Sequence, residues 1–314
     1  MKVLITGGTG LVGSAFAKAK TKGVDWEILP GPSAGGIDLL DREETFEYFS
    51  NLNVDAVVHT AAKVGGIKAN IKNPQSFYTE NIQINTNVLD ASKNAGIKKC
   101  ISFLSTCVYP EVCDYPLKES AIHYGPPHKS NMFYAYAKRM LDIHSQSISS
   151  DKGFNYFCVA PNNLYGINDN FDPENSHVIP GIILKVHEAN QNKKRVLKLW
   201  GDGTPLREFT FADDIPNVIE FLLKKKVSGV INVGNTNREY KISEIANDIL
   251  ALMDSNLKIR WESKSLNGQL RKPSSSEKMN NLKYDSSSYT DLRLGLKKTI
   301  KWFLENYPNV RGIG

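Results

Sequence analysis

Residues 1–13, MKVLITGGTGLVG, are the stretch that decides the fold. The apolar run KVLIT leads directly into Gly7, Gly10 and Gly13, and a helical pattern follows. Glycines at this spacing let the backbone approach a pyrophosphate that sits on the N-terminus of the following helix. A tight turn that only packs a helix on a strand is the alternative interpretation. The position at the first strand, with further strands and helices behind it, favours dinucleotide binding.

The rest of the chain alternates short apolar runs with helical patterns, which is typical of a parallel sheet covered by helices on both faces. The clearest predicted strands are KVLIT (2–6), WEILP (26–30), AVVHTAA (56–62), KKCISFLS (98–105) and FNYFCVAP (154–161). Predicted helices cover about 75–95, 134–149 and 178–190. The sequence therefore predicts an α/β fold of the Rossmann type, with a doubly wound parallel sheet.

Composition excludes several classes of protein. Four cysteines, Cys100, Cys107, Cys113 and Cys158, have neither the CxxC spacing of a zinc site nor the density of a disulfide framework, so reduced cytoplasmic thiols are expected. No run has the length of a membrane span, and the N-terminus lacks the features of a signal peptide. The net charge of +6 is scattered and forms no basic stripe, so no nucleic acid is expected as a partner. The six histidines show no HxxH or HExxH spacing, so no metal is expected.

The end of the second predicted strand indicates which dinucleotide is used. Rossmann enzymes that use NAD usually carry an acidic residue there, which binds the 2′-hydroxyl of the ribose. Here the chain has Pro30, Gly31 and Ser33 instead. Because a carboxylate would repel a 2′-phosphate, its absence favours NADP(H). No arginine occupies the place, so the sequence does not identify the group that binds the 2′-phosphate.

After about residue 165 the pattern becomes polar and turn-rich, which predicts a smaller α/β lobe that shapes the ligand site. LKLWGDGTPLREFTF (197–211) is interpreted as a hairpin, and SGVINVG (228–234) as a strand that returns to the main sheet. Ser243 is the predicted N-cap of an amphipathic helix. The predicted division is an NADP-binding Rossmann domain of residues 1–165 plus about 205–235, and a substrate-binding lobe of 166–204 and 236–314, interleaved in sequence.

FYAYAKRML (133–141) places Tyr134 and Lys138 four residues apart, on one face of a helix. An ammonium beside a phenol lowers the pKa of the phenol, which makes the tyrosine a usable acid-base group near neutral pH. Tyr136 is two residues from the lysine and is expected to face away. An ordinary amphipathic helix with a surface lysine is the alternative. Ser105, at the end of the preceding strand, favours the catalytic interpretation because it would lie at the carboxyl ends of the strands and could share a substrate oxygen with Tyr134.

Six stretches resemble, in order and spacing, the extended short-chain dehydrogenase/reductase family, and within it the branch that epimerises and reduces GDP-sugars. They are AAKVGGI (61–67), LSTCVYP (104–110), FYAYAKRM (133–140), NLYGINDNF (163–171), SHVIPGII (176–183) and WGDGTPLREF (200–209). The match covers nearly the whole chain. The resemblance implies NADPH-dependent 3,5-epimerisation and 4-reduction of GDP-4-keto-6-deoxy-D-mannose to GDP-L-fucose. It also implies a homodimer in which the Tyr134 helix and the helix near 75–95 form a four-helix bundle.

The resemblance assigns the epimerisation to Cys107 and His177. Without it, a lone cysteine near a strand end is usually a small buried hydrophobe, and His177 would be a loop histidine. The chemistry is consistent with the pair, because a C4 ketone acidifies the hydrogens at C3 and C5, and inversion needs one group to remove a proton and another to return it. A thiol and an imidazole can both titrate near pH 7 in suitable surroundings.

The resemblance also implies binding residues. Those for the cofactor are Gly7, Gly8, Thr9, Gly10, Leu11, Val12, Gly13, Asp38, Leu39, Ala62, Leu104, Lys138, Asn162, Asn163, Leu164 and His177. Those for the substrate are Lys185, Trp200, Arg207 and Asn267. Lys185 stands where bacterial members of the branch have arginine, so the charge is kept but the bidentate fork is lost. Asn267 stands where an aspartate is usual.

Two other functions are compatible with the sequence. One is a related 4-keto sugar-nucleotide reductase that omits one or both inversions, which the presence of Cys107 and His177 disfavours. The other is a dinucleotide-binding sensor or scaffold without turnover, which the presence of Tyr134 and Lys138 disfavours.

Overall fold

The computed structural model describes residues 1–262 and 269–313. The strands of this part are β1 (Lys2–Thr6), β2 (Asp25–Ile28), β3 (Ala56–His59), β4 (Lys99–Phe103), β5 (Asn155–Pro161), β6 (Asn163–Tyr165), β7 (Val196–Leu199), β8 (Leu206–Arg207), β9 (Phe209–Phe211), β10 (Val230–Val233), β11 (Tyr240–Lys241) and β12 (Lys258–Trp261). The α-helices are α1 (Leu11–Lys18), α2 (Arg42–Ser50), α3 (Ile67–Lys72), α4 (Pro74–Asn94), α5 (Met132–Ser149), α6 (Val178–Gln191), α7 (Ile215–Leu223), α8 (Ile242–Leu252), α9 (Glu277–Asn281) and α10 (Leu292–Asn306).

The centre of the molecule is a parallel sheet. In the described part of the chain its strand order is β10-β5-β4-β3-β1-β2, and every neighbouring pair is parallel. Successive side chains of a strand point to opposite faces. Leu4 accordingly belongs to a core that includes residues of α2, α4 and α5, whereas Val3 and Ile5 belong to a core that includes residues of α1 and α7. Helices therefore cover both faces, and the predicted doubly wound Rossmann-type fold is confirmed.

A third hydrophobic core lies outside this sheet. It is formed mainly by α6, α8 and α10 with β7, and Phe171, Ile183, Leu199, Ile249 and Phe303 are among its buried members. Its residues run from Tyr165 to Val310, which matches the region where the sequence pattern becomes turn-rich. The predicted boundaries of the two lobes stay a prediction.

Most elements follow the predicted pattern, and two do not. The predicted return of 228–234 to the main sheet is confirmed, because β10 pairs with β5. The predicted hairpin at 197–211 is wrong, because β7 pairs in parallel with β12 and β8 pairs with β11. Ser243 is not the N-cap of α8. The cap is Lys241, whose backbone N–H donates to Glu244 Oε2 at 2.8 Å, so the glutamate satisfies the donor that begins the helix.

None of the helices in the described residues has the length and apolar character that a membrane crossing requires. Within the same residues, no group of three or more His, Cys, Asp or Glu side chains is arranged to hold a metal ion.

Candidate active site

A cavity of about 620 Å³ opens at the carboxyl ends of β1, β3, β4 and β5. In an open parallel sheet this edge is where ligands bind. All the predicted catalytic residues line it: Ser105, Cys107, Tyr134, Lys138 and His177. So do Arg207 and every predicted cofactor residue except Gly8, which is buried beneath the glycine turn and donates its backbone N–H to Leu29 O.

The glycine turn forms one wall of the cavity. Gly7 has a φ of +74°, a conformation that side chains rarely adopt, and Gly10 is the N-cap of α1. A Cβ on Gly13 would lie 2.6 Å from Gly8 Cα and would also overlap the Gly7 carbonyl oxygen. A Cβ on Gly10 would meet only the Gly7 carbonyl oxygen, at 3.5 Å. Gly13 is thus needed for packing of α1 on the turn, and Gly10 leaves an open approach to the helix N-terminus that fits a dinucleotide pyrophosphate.

Tyr134 and Lys138 lie on the buried face of α5, whereas Tyr136 is 39% exposed on the other face, as predicted. Lys138 Nζ donates to the Phe103 carbonyl oxygen at 2.9 Å. Burial lowers the pKa of Lys138 to about 8. Burial also raises the pKa of Tyr134 above its usual value, and Cys107 adds to that shift. The predicted lowering of the phenol's pKa is wrong for this arrangement, because desolvation dominates and the ammonium donates to a carbonyl.

Ser105 and Cys107 are held by the short 3₁₀ turn Thr106–Val108 that follows β4. Ser105 caps the turn, and its Oγ accepts a hydrogen bond from Cys107 N at 3.3 Å. Cys107 is half-buried, and its Sγ accepts a hydrogen bond from Asn131 Nδ2 at 2.8 Å. Asn131 directly precedes α5, so the helix that carries Tyr134 also supplies a donor to the thiol. The sequence offered no signal for Asn131 beyond its position before that helix.

Two cations lie within electrostatic reach of Cys107. Burial lowers the pKa of Arg207 and of Lys272. In both cases the charge interaction with Cys107 is the largest effect that raises the pKa again. Both residues line the cavity, Arg207 from β8 and Lys272 from the segment after the undescribed residues. The side chains of Arg207 and Lys272 thus carry positive charge on the side of the cavity where the Cys107 thiol lies. Arg207 was predicted as a site residue, but Lys272 was not.

His177 is the exposed N-cap residue of α6. The nearby Asp169 is 2% exposed and also lines the cavity, and its Oδ2 has no hydrogen-bond partner. Burial raises the pKa of Asp169. The charge interaction with His177 is the largest effect that lowers it. Asp169 lies within the quoted stretch NLYGINDNF, yet no spacing rule marked it as part of a site.

Two other predicted substrate residues, Lys185 and Trp200, are not among the residues that line the cavity. Trp200 follows β7 and is 41% exposed, and Lys185 Nζ lies 4.2 Å from the centroid of its ring. Lys68 Nζ, which the sequence analysis did not mark, lies 3.4 Å from the same centroid. Asn267 lies outside the described residues.

The chain is similar to known proteins over nearly its whole length. The sequence model of the NAD dependent epimerase/dehydratase family matches residues 3–234. A GDP-L-fucose synthase from Dictyostelium discoideum is 36% identical over 98% of this chain and 97% of its own length. A GDP-L-colitose synthase from Yersinia pseudotuberculosis is 34% identical over 98% of this chain and 100% of its own length. The crystal structure of a GDP-L-fucose synthetase from Naegleria fowleri bound to NADP superposes with a TM-score of 0.91 at 34% identity, covering 99% of this chain and 94% of that one.

Proposed function

The chain belongs to the NAD dependent epimerase/dehydratase family, and we propose that it converts GDP-4-keto-6-deoxy-D-mannose to GDP-L-fucose with NADPH as the reductant. The observation that carries this proposal is the meeting of Ser105, Cys107, Tyr134, Lys138 and His177 in one cavity. Three of these residues suit a reductase, and the other two suit an epimerase. The similarity to GDP-L-fucose synthases, which spans nearly the whole chain, supports the choice of substrate.

NADP(H) would be held by the glycine turn and by the residues at the ends of β4 and β5. When bound, the cofactor would supply a hydride to C4 of the sugar. Gly10 leaves the N-terminus of α1 open to a pyrophosphate, and Lys138, fixed by the Phe103 carbonyl, would bind the nicotinamide ribose.

Cys107 and His177 perform the epimerisation. The C4 ketone makes the hydrogens at C3 and C5 acidic, so a base can remove each as a proton. Cys107 is the base, and Arg207 and Lys272 lie on its side of the cavity. His177 returns a proton to the opposite face, with the buried carboxyl of Asp169 beside it.

Tyr134 and Ser105 complete the reduction. The Tyr134 hydroxyl would donate a proton to the C4 oxygen as the ketone is reduced. The raised pKa of Tyr134 keeps the phenol protonated at neutral pH, which is the state that a proton donor requires. Ser105 donates a hydrogen bond to the same oxygen.

A homodimer is part of the proposal. The face formed by α4 and α5 exposes five large side chains, Tyr78, Phe133, Tyr136, Met140 and Ile143. These two helices are the ones that the family resemblance assigns to a four-helix bundle, and a twofold axis would let two copies of the same face cover each other. We also assign the protein to the cytoplasm, where its four free cysteines would stay reduced.

Product identification tests the proposal. The protein is incubated with NADPH and GDP-4-keto-6-deoxy-D-mannose, the product is hydrolysed, and the sugar is identified by chiral chromatography and mass. L-fucose is the expected result. Release of 6-deoxy-D-talose or D-rhamnose would instead establish a reductase without epimerisation. The 34% identity to a GDP-L-colitose synthase makes GDP-L-colitose a second candidate product. The mass of the sugar distinguishes it when that enzyme's substrate is supplied in parallel.

A further inference from the structure

Two lysines from different elements meet on one exposed indole. Lys68 is the second residue of α3, Lys185 lies in the middle of α6, and Trp200 directly follows β7. Both ammonium nitrogens lie within 4.2 Å of the centroid of the Trp200 ring, Lys68 at 3.4 Å and Lys185 at 4.2 Å. Lys68 is exposed and Lys185 is half-buried. The fold therefore holds two like charges close together at the surface.

This arrangement costs free energy in the absence of an anion. Burial lowers the pKa of Lys185, and the charge of Lys68 lowers it further. Within residues 1–262 and 269–313, neither lysine forms an ion pair with a carboxylate at 4.0 Å or less. The charge of Glu262 raises the pKa of Lys185, but Glu262 forms its ion pair with Lys198, at 3.7 Å. One cation is enough to cover an indole face, and a second one adds repulsion. The surplus positive charge is thus not explained by packing on Trp200.

The pair is next to the cavity that holds the catalytic residues. Ile67, which precedes Lys68 in the chain, lines that cavity, and so do Val178, Ile179 and Pro180 in the first turn of α6. An anion bound by the two ammonium groups would therefore lie next to residues that line the cavity.

We propose that Lys68 acts together with Lys185 as a clamp for the diphosphate of the nucleotide-sugar, with the Trp200 ring as the surface on which both side chains pack. The inference rests on the proposed function, because it takes a nucleoside diphosphate sugar as the ligand. A diphosphate carries two negative charges, which match two ammonium point charges. Lys68 would thus supply part of the binding that a bidentate arginine at position 185 would otherwise provide.

The test compares Lys68→Gln with Lys72→Gln, an exposed lysine on the same helix that is not near Trp200. Binding of GDP, GMP and NADPH to each protein is measured by calorimetry at low salt. We expect Lys68→Gln to weaken GDP binding about tenfold, with a smaller loss for GMP. NADPH affinity should not change in either variant, and Lys72→Gln should bind GDP like the wild type. The tenfold difference should shrink in 0.5 M NaCl, because salt screens exposed charges.

Steady-state kinetics provide a second readout. Because the diphosphate does not react, Lys68→Gln should raise KM for the GDP-sugar and leave kcat unchanged. Equal GDP affinity of the wild type and Lys68→Gln, with both proteins folded by circular dichroism, would overturn the clamp and leave the proposed function standing. A wild type that binds no GDP would overturn both.

Discussion

At the scale of single residues, Cys107 carries the most specific prediction. Its sulfur accepts from Asn131 Nδ2, and Arg207 and Lys272 lie within electrostatic reach of it. A serine hydroxyl is almost never ionised at neutral pH, so Cys107→Ser should abolish exchange of the C3 and C5 hydrogens with solvent. Deuterium incorporation in D₂O, followed by mass spectrometry, measures this. Slow reduction of the unepimerised ketone should survive, because Tyr134, Lys138 and the cofactor site are unchanged.

His177→Asn serves as the comparison for Cys107→Ser. One of the two proton-transfer groups remains in this variant, so exchange should be slowed without being lost completely. Normal deuterium incorporation at both carbons in Cys107→Ser would identify Cys107 as a packed apolar residue and leave the base to be found elsewhere in the cavity.

Tyr134 and Tyr136 allow the reductive step to be tested with a matched pair. Tyr134→Phe removes the proton donor from a buried position, and general acids of this kind contribute about 10²–10⁴-fold in rate. Reduction should fall by that factor while hydrogen exchange at C3 and C5 persists. Tyr136→Phe removes an exposed hydroxyl from the same helix and should leave turnover unchanged. A larger rate loss in Tyr136→Phe than in Tyr134→Phe would refute the assignment.

Glu208 links stability to pH. It is 2% exposed, its Oε2 accepts from Ser274 N at 3.0 Å, and burial raises its pKa from 4.5 to about 7. Between these values the folded protein holds the proton more tightly than the unfolded chain, so the contribution to stability is complete below pH 4.5 and is lost as the pH rises through 7. The loss is about 3 kcal/mol. Residue 208 does not titrate in Glu208→Gln, so the free energy of unfolding of this variant, relative to the wild type, should increase from pH 5 to pH 8 in urea titrations. If the unfolding free energies of the two proteins changed in parallel with pH, the raised pKa of Glu208 would be contradicted.

The residues that sequence reasoning found differ physically from those it missed. Tyr134 and Lys138 follow a fixed helical spacing, and Ser105 follows from the rule that ligands bind at strand ends. Lys68 and Lys272 reach their places only through tertiary contacts between segments far apart in the chain, and no local pattern encodes those contacts. The pKa of Tyr134 was predicted with the wrong sign, because spacing predicts a neighbouring charge but not the depth of burial.

At the scale of elements, two glycines of the same turn have different roles: Gly13 allows the helix to pack, and Gly10 allows the cofactor to bind. Gly13→Ala would place a Cβ 2.6 Å from Gly8 Cα, so it should destabilise the fold by about 2 kcal/mol or more and weaken NADPH binding with it. Gly10→Ala adds a Cβ at ordinary contact distance, so stability should change little while NADPH affinity falls. Thermal unfolding and NADPH fluorescence titration measure the two effects. Equal loss of stability in both variants would contradict the division of roles.

Element prediction succeeded where one pattern determined the outcome. Buried strands such as β3 and β10 are short apolar runs bounded by turns, and their pairing in one sheet follows from the crossover helices between them. The hairpin predicted at 197–211 failed because β7 and β8 each pair with a strand more than 30 residues away. Turn residues at Gly201 and Gly203 signal a reversal of the chain but do not specify the partner.

At the scale of the whole molecule, the exposed face of α4 and α5 predicts self-association. Met140→Glu places a charge on this face and should convert a dimer to a monomer, since a twofold interface would bury two such charges together. Leu294→Glu is the control, because Leu294 on α10 is 49% exposed, as is Met140, but lies away from the face. Sedimentation velocity distinguishes the species. A monomeric wild type, or loss of the dimer in Leu294→Glu, would contradict the proposal.

Residues 311 and 312 pack on the loop that leads from Asp169 to His177. Arg311 O accepts from Phe171 N at 2.8 Å, and a Cβ on Gly312, whose φ is +89°, would lie 2.9 Å from Asp172 Cβ. A side chain at position 312 would therefore displace this loop, and with it the buried Asp169 that lines the cavity. A residue far from the cofactor in the sequence thus helps to fix one wall of the cavity.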